Sequence, residues 1–180
     1  MTADDVWDFV DTMAAHGVRL WIDGGWAVDA CLGTQTREHA DLDIAIEQRY
    51  VDTALRILRE RGYGPEPTPR ELGWNFVLRD DAGHEIDFHV IVRDGTGRGI
   101  YGPPENGESY PPGALCGRGT IAGRGVDCIS PQWLVVFHTG YEADEDDWAD
   151  VSALCARFAI PVPDDYARFV SRGGGTPRPA

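Results

Sequence analysis

Asp41-Leu42-Asp43-Ile44-Ala45-Ile46-Glu47 alternates charged and apolar side chains along its first residues. A period of two is that of a strand with one buried face. Leu42, Ile44 and Ile46 form the apolar face, and Asp41 and Asp43 then stand side by side on the other. Two carboxylates so placed repel each other unless water or a cation screens them. Close oxygen ligands with room left for phosphate and water suit Mg²⁺. Glu85 to Val92 repeats the pattern, with Ile86, Phe88 and Val90 on one face and Glu85, Asp87 and His89 on the other. If the two strands are neighbours, Asp87 joins Asp41 and Asp43. Three such carboxylates can hold two metal ions, one neutralising a triphosphate and one activating a hydroxyl. Two half-exposed strands with polar outer faces would leave the same pattern.

Upstream, Val18 to Ile22 reads as a short buried strand, followed by Asp23-Gly24-Gly25 and a helix from about Trp26 to Leu32 closed by Gly33. Small residues between a strand and a helix N-terminus let phosphate oxygens reach backbone N–H groups. A Gly-Gly pair is also an ordinary turn. Arg37 and His39 follow in the loop before the aspartates, within reach of the same phosphates or simply on the surface.

Around this centre the spacing predicts a helix over about 4–16, a helix over 51–61, and a proline-rich loop over 64–70. Trp74 to Arg79 and Glu85 to Val92 form a hairpin. Asp94 to Arg118, rich in Gly and Pro, is irregular and long enough to be a lid or to hide a short strand. A last strand lies within Thr120 to Ile129. Ser130-Pro131 starts a helix to about Thr139, and two more cover about 146–158 and 164–171. The acidic run Glu142 to Asp150 is expected to be a solvated face.

Composition narrows the function. The 180 residues are 42% hydrophobic and 26% charged, an ordinary globular balance. Sixteen basic residues against thirty acidic ones give a net charge of −14, which repels nucleic acid and attracts small cations. All sixteen basic residues are arginine, so Schiff-base and Walker-type lysine chemistry is excluded. No apolar run approaches the ~20 residues of a membrane span, and Asp4, Asp5 and Asp8 stand where a signal peptide needs positive charge. Cys31, Cys116, Cys128 and Cys155 show no C-x-x-C spacing. A cytoplasmic protein with reduced thiols is the expectation.

Strand, Gly-Gly turn, helix, Arg37-x-His39-x-Asp41-x-Asp43 and a distant strand aspartate together resemble the nucleotidyltransferases of the DNA polymerase β type. More narrowly, Trp21-Ile22-Asp23-Gly24-Gly25-Trp26-Ala27-Val28-Asp29, Thr36-Arg37-Glu38-His39 and Asp41-Leu42-Asp43 resemble the small antibiotic nucleotidyltransferases, in their lincosamide and aminoglycoside 2″ branches. Ile121-Ala122-Gly123-Arg124, Val126 to Ser130 and Phe137 to Glu142 extend the resemblance over about residues 4 to 158.

The resemblance implies an α+β fold, a polymerase β-like palm whose mixed sheet is flanked by helices. The order of elements divides the chain into a nucleotidyltransferase domain over 1–129 and a C-terminal helical lobe over 130–172, and residues 173–180 are expected to be a disordered tail. The resemblance implies transfer of a nucleoside monophosphate from a nucleoside triphosphate to a drug hydroxyl, with release of pyrophosphate. Asp41 and Asp43 match the metal-binding pair, and Asp87 the third aspartate, a metal ligand and candidate general base. Gly24, Gly25, Arg37 and His39 match positions near the triphosphate, and two Mg²⁺ ions are expected. His89 and the Phe137 to Tyr141 segment lean toward the lincosamide branch. His138, Tyr141 and Glu142 match positions for substrate contact, although His138 also fits an interior histidine beside Trp133 and Phe137. The partner expected is a small, hydroxyl-bearing, cationic molecule met by a monomer or homodimer, with no nucleic acid and no membrane. An aminoglycoside, a biosynthetic small molecule or a partner protein are the alternative acceptors.

Overall fold

The computed structural model describes residues 1–65, 73–102 and 108–172. Helix α1 (Ala3–Ala15) begins with a reciprocal cap: the Thr2 hydroxyl accepts from the Asp5 N–H while the Asp5 carboxylate accepts from the Thr2 N–H. Strand β1 (Leu20–Ile22), helix α2 (Gly24–Leu32), strand β2 (Asp41–Glu47) and helix α3 (Gln48–Glu60) follow. Next come β3 (Gly64–Pro65), β4 (Asn75–Arg79), β5 (Glu85–Arg93), β6 (Gly99–Tyr101) and β7 (Glu108–Tyr110). A 3₁₀ turn, Ala114–Cys116, leads into β8 (Gly117–Ile121) and β9 (Arg124–Cys128). The chain ends in α4 (Pro131–Phe137), α5 (Glu145–Phe158), a 3₁₀ turn at Asp164–Tyr166 and α6 (Ala167–Arg172).

The strands make one mixed sheet in the order β3-β4-β5-β2-β1-β9-β8. β2 runs parallel to β5, and β1 parallel to β9. β6 continues from the far end of β5, at Ile91 to Arg93, and pairs with β7. Leu42, Ile44, Ile46, Ile86, Phe88 and Val90 are all 1% exposed or less, as the period-two reading requires. Helices α4 and α5 pack on α2 and extend the same apolar core.

Three stretches differ from the sequence expectation. The single strand within Thr120 to Ile129 is half of a hairpin, β8–β9, turned by Ala122 and Gly123 at φ 48° and 78°. Two positive φ values in a two-residue loop mark the primed turns that match strand twist. Alanine at the first of them hid the signal, since glycine, Asn or Asp is the usual occupant. Asp94 to Arg118, expected to be irregular, holds β6, β7, the 3₁₀ turn and the start of β8 among its described residues. Helix α3 starts three residues early, at Gln48. The expected loop keeps only Gly64–Pro65, paired with β4, inside the described residues, and the tail 173–180 lies outside them. All four cysteines are thiols. Among the described residues no helix is long and apolar enough to cross a membrane.

Candidate active site

The parallel register sets Asp43 beside Asp87 and Ala45 beside His89. Ligand atoms of Asp43, Asp87 and His89 all lie within 4.8 Å of one another. His89 Nε2 is 3.9 Å from Asp43 Oδ1 and 3.8 Å from Asp87 Oδ2. Burial, then the charge of Asp41, raises the Asp43 pKa to about 7, against the opposing pull of His89. That shift, burial and crowding together, amounts to about 4 kcal/mol at most. The six buried side chains behind the two strands contribute ~1.5–3 kcal/mol each, and a one-residue slip would expose them all. Hydrophobic register therefore wins and holds the carboxylates together.

These residues fit a divalent cation. Asp87 Oδ1 is buried without a hydrogen-bond partner, and buried polar atoms are otherwise nearly always satisfied. A cation between Asp43 and Asp87 would satisfy that oxygen and relieve the crowding. Asp41 is exposed at the first position of β2 and lies outside the 4.8 Å group, although its charge acts on Asp43.

Asp23 closes the other side. Its N–H donates to the Asp43 carbonyl at 2.9 Å, tying the end of β1 to β2. Its Oδ1 caps α2 by accepting from the Gly24 N–H. Tyr110, from β7, donates its hydroxyl to Asp23 Oδ2 at 2.8 Å, and His89 Nδ1 lies 2.8 Å from the same hydroxyl. Burial opposes ionisation of Asp23, but hydrogen bonding and charge from His89 hold its carboxyl below the usual range. Burial likewise opposes the His89 cation, yet Asp23 and Asp87 raise its pKa well above the ordinary imidazole value.

Both glycines of the turn are required by close approach. A Cβ at Gly24 would sit 2.1 Å from Asp43 Oδ2, and one at Gly25 2.6 Å from His39 Nδ1 and 2.7 Å from Arg37 Nη2. The loop side chains are themselves held: His39 Nε2 meets Asp29 Oδ2 at 2.5 Å, and Arg37 forks onto Asp150. Above this floor opens a cleft of about 530 Å³. Tyr101, Glu108 and Tyr110 line it on one side, and Val136, His138 and Tyr141 on another. Glu142 lies outside the lining, almost fully exposed, with Arg168 at 3.5 Å.

The family model for aminoglycoside-2″-adenylyltransferase matches residues 5–154. The chain belongs to this family. It is a nucleotidyltransferase, a reaction class that needs a nucleotide co-substrate. A lincosamide resistance protein of Staphylococcus haemolyticus is 28% identical over 158 residues, 86% of this chain and 94% of its own length. A 2″-aminoglycoside nucleotidyltransferase of Escherichia coli is 32% identical over 134 residues, 70% of this chain and 66% of its own. The crystal structure of the lincosamide antibiotic adenylyltransferase LnuA with lincomycin bound superposes with a TM-score of 0.76 at 26% identity, covering 89% of this chain and 99% of that one.

Sequence reasoning missed several residues of this nucleotidyltransferase cleft. Tyr101 and Tyr110 lay in the stretch expected to be irregular. Asp23 was passed over as part of a turn. Asp29 carried a signal: it is a carboxylate inside the apolar run Trp26 to Ala30, buried with its Oδ1 accepting from the Thr36 N–H and hydroxyl.

Proposed function

We propose that this nucleotidyltransferase moves a nucleoside monophosphate from a nucleoside triphosphate, ATP in the first instance, to a hydroxyl of a lincosamide, releasing pyrophosphate. The observation that carries the chemistry is Asp43, which lines a cleft together with the Gly24–Gly25 turn and has Asp87 beside it on the neighbouring strand. Asp43 and Asp87, with Asp41 close by, are the residues to hold Mg²⁺, two ions in the full complex. A divalent ion held by these carboxylates would supply neutralisation of the triphosphate charge and polarisation of the acceptor hydroxyl. Gly24 and Gly25 leave room for the phosphates, with Arg37 and His39 behind them. Asp87 is the candidate to take the acceptor proton, and positioning supplies much of the rest, since phosphoryl transfer needs little covalent help.

The acceptor reading rests on two supports. The alignment spans 94% of the lincosamide resistance protein but 66% of the Escherichia coli aminoglycoside enzyme. The cleft lining also offers an acceptor tyrosines, Val136 and His138 and, among the described residues, one carboxylate outside the floor, Glu108. Such walls suit an amphipathic monoamine better than a polycation. Asp144 and Asp147 are engaged in the cap of α5, and Asp147 also accepts from the Tyr141 hydroxyl. The family description keeps an aminoglycoside as the second reading.

Pyrophosphate release with Mg²⁺, ATP or GTP, and lincomycin, clindamycin, tobramycin or kanamycin tests this directly. Release with the two lincosamides alone is expected. Release with the aminoglycosides alone overturns the acceptor and keeps the site, and silence moves the acceptor to a biosynthetic molecule or a protein. Tyr110→Phe, which removes the hydroxyl joining Asp23 to His89, is expected to lower kcat about 10-fold, on the scale of one lost hydrogen bond to charged groups. An unchanged kcat in steady-state assays would detach Tyr110 from the chemistry.

A further inference from the structure

We propose that Asp150 is a positioning residue for the nucleotide: its buried carboxylate, on helix α5, aims Arg37 at the triphosphate. The proposal rests on the nucleotidyltransferase reading above. Asp150 is 2% exposed. It accepts from Arg37 Nη2 at 2.9 Å and from Nε at 3.3 Å, and Arg37 is the only donor to that carboxylate among the described residues. Its neighbours in the acidic run serve otherwise: Asp144 and Asp147 cap the helix at the surface.

Stability alone does not account for this pair. Taking a carboxylate out of water costs several kcal/mol, and a buried ion pair returns about as much as it loses. An apolar pair would hold α5 to the loop as well. What an apolar pair cannot do is fix a guanidinium. Arg37 is the only arginine lining the cleft among the described residues, on a floor that otherwise carries Asp23 and Asp43. A guanidinium has five N–H donors. Asp150 takes the Nε hydrogen and one on Nη2, and the Glu38 carbonyl takes one on Nη1 at 3.3 Å. One hydrogen on Nη2 and one on Nη1 are left. Nη2 stands 2.7 Å from where a Cβ at Gly25 would be, against the start of α2 and so beside the phosphate cradle. A phosphate oxygen there would meet a planar donor already oriented, without the rotamer entropy an untethered arginine loses on binding. Helix α5 thereby serves the nucleotide site from 113 residues away in sequence.

Equilibrium titration of the full chain with Mg·ATP and with AMP, alongside Mg·GTP and GMP, tests this. Asp150→Asn is expected to weaken triphosphate binding about 10-fold, the loss of one charge-assisted contact. The monophosphate should lose less, so the preference for triphosphate falls. A purely structural role would lower the melting temperature and weaken both nucleotides alike. Arg37→Gln should lose as much triphosphate affinity, and the double variant Arg37→Gln/Asp150→Asn no more than Arg37→Gln alone. The double variant leaves no unpaired buried charge, so the comparison stands even where Asp150→Asn fails to fold. Wild-type affinity in Asp150→Asn, equal losses for both nucleotides, or additive losses in the double variant each overturn the proposal. A wild-type chain that binds no triphosphate overturns the nucleotide reading itself, and is told apart by failing before any variant is compared.

Discussion

Asp43→Asn is expected to lower transfer by at least ~10³-fold while raising the melting temperature of the metal-free protein at pH 8 by roughly 5 °C. The two effects share one cause. Asp43 is held by burial and by the charge of Asp41 at a pKa of about 7, above its ordinary 3.8. A carboxyl raised on folding contributes fully below its unfolded pKa, and its contribution is lost as pH rises through the folded value. Above pH 7 the native chain therefore carries an ionised Asp43 crowded by Asp41, Asp23 and Asp87, which the unfolded chain does not. Asparagine keeps the shape and removes that charge. The stability difference between variant and wild type should grow between about pH 4 and pH 7 and then level off. Added Mg²⁺ should reverse the order, stabilising the wild type and leaving Asp43→Asn unmoved. Thermal melts across pH, with and without metal, read all of this. A variant that melts lower than wild type at every pH would remove the crowding argument, and retained turnover would remove Asp43 from the chemistry.

The strands that carry this site were legible because their two faces differ. Leu42, Ile44 and Ile46 against Asp41 and Asp43, and Ile86, Phe88 and Val90 against Asp87 and His89, leave little freedom for register once the apolar faces are buried. The neighbouring of β2 and β5 was not in either strand. It is a long-range pairing that the pattern of neither strand fixes by itself. His89, expected at the acceptor, lines the cleft and also stands within 3.9 Å of Asp23, Asp43 and Asp87. That position follows from the parallel pairing and from Tyr110, which no local pattern announced. Asp150 was hidden for the opposite reason. Six acidic residues between Glu142 and Asp150 read as one solvated face, yet Asp150 falls on the same side of α5 as Val151 and Leu154, which are buried. Helical phase separates it from its neighbours where composition does not. Arg37 and His39 stand beside Gly25, and it is the fold that pairs them with Asp150 on α5 and Asp29 on α2.

Gly24→Ala is expected to lower kcat about 100-fold with a loss of only a few degrees in melting temperature. Gly24 has φ +54°, where an L side chain is strained by ~1–2 kcal/mol. Strain of that kind alone does not stop an enzyme. Gly17, between α1 and β1, shows how much it accounts for: its φ is +72° and nothing lies within 4 Å of where a Cβ would be. Gly17→Ala should therefore lose stability and keep full activity. At Gly24 the added carbon would lie 2.1 Å from Asp43 Oδ2 and 2.7 Å from its carboxyl carbon. The backbone there is pinned by the Asp23 cap and by the Asp23 N–H on the Asp43 carbonyl, so the carboxylate is the part that moves. Displaced by about 1 Å, it no longer faces Asp87 across the register, and misplacement on that scale costs about two orders of magnitude in rate. Measured side by side, the two alanine variants separate strain from position. Equal kcat in both would mean that Asp43 tolerates displacement and is not held in place by the turn.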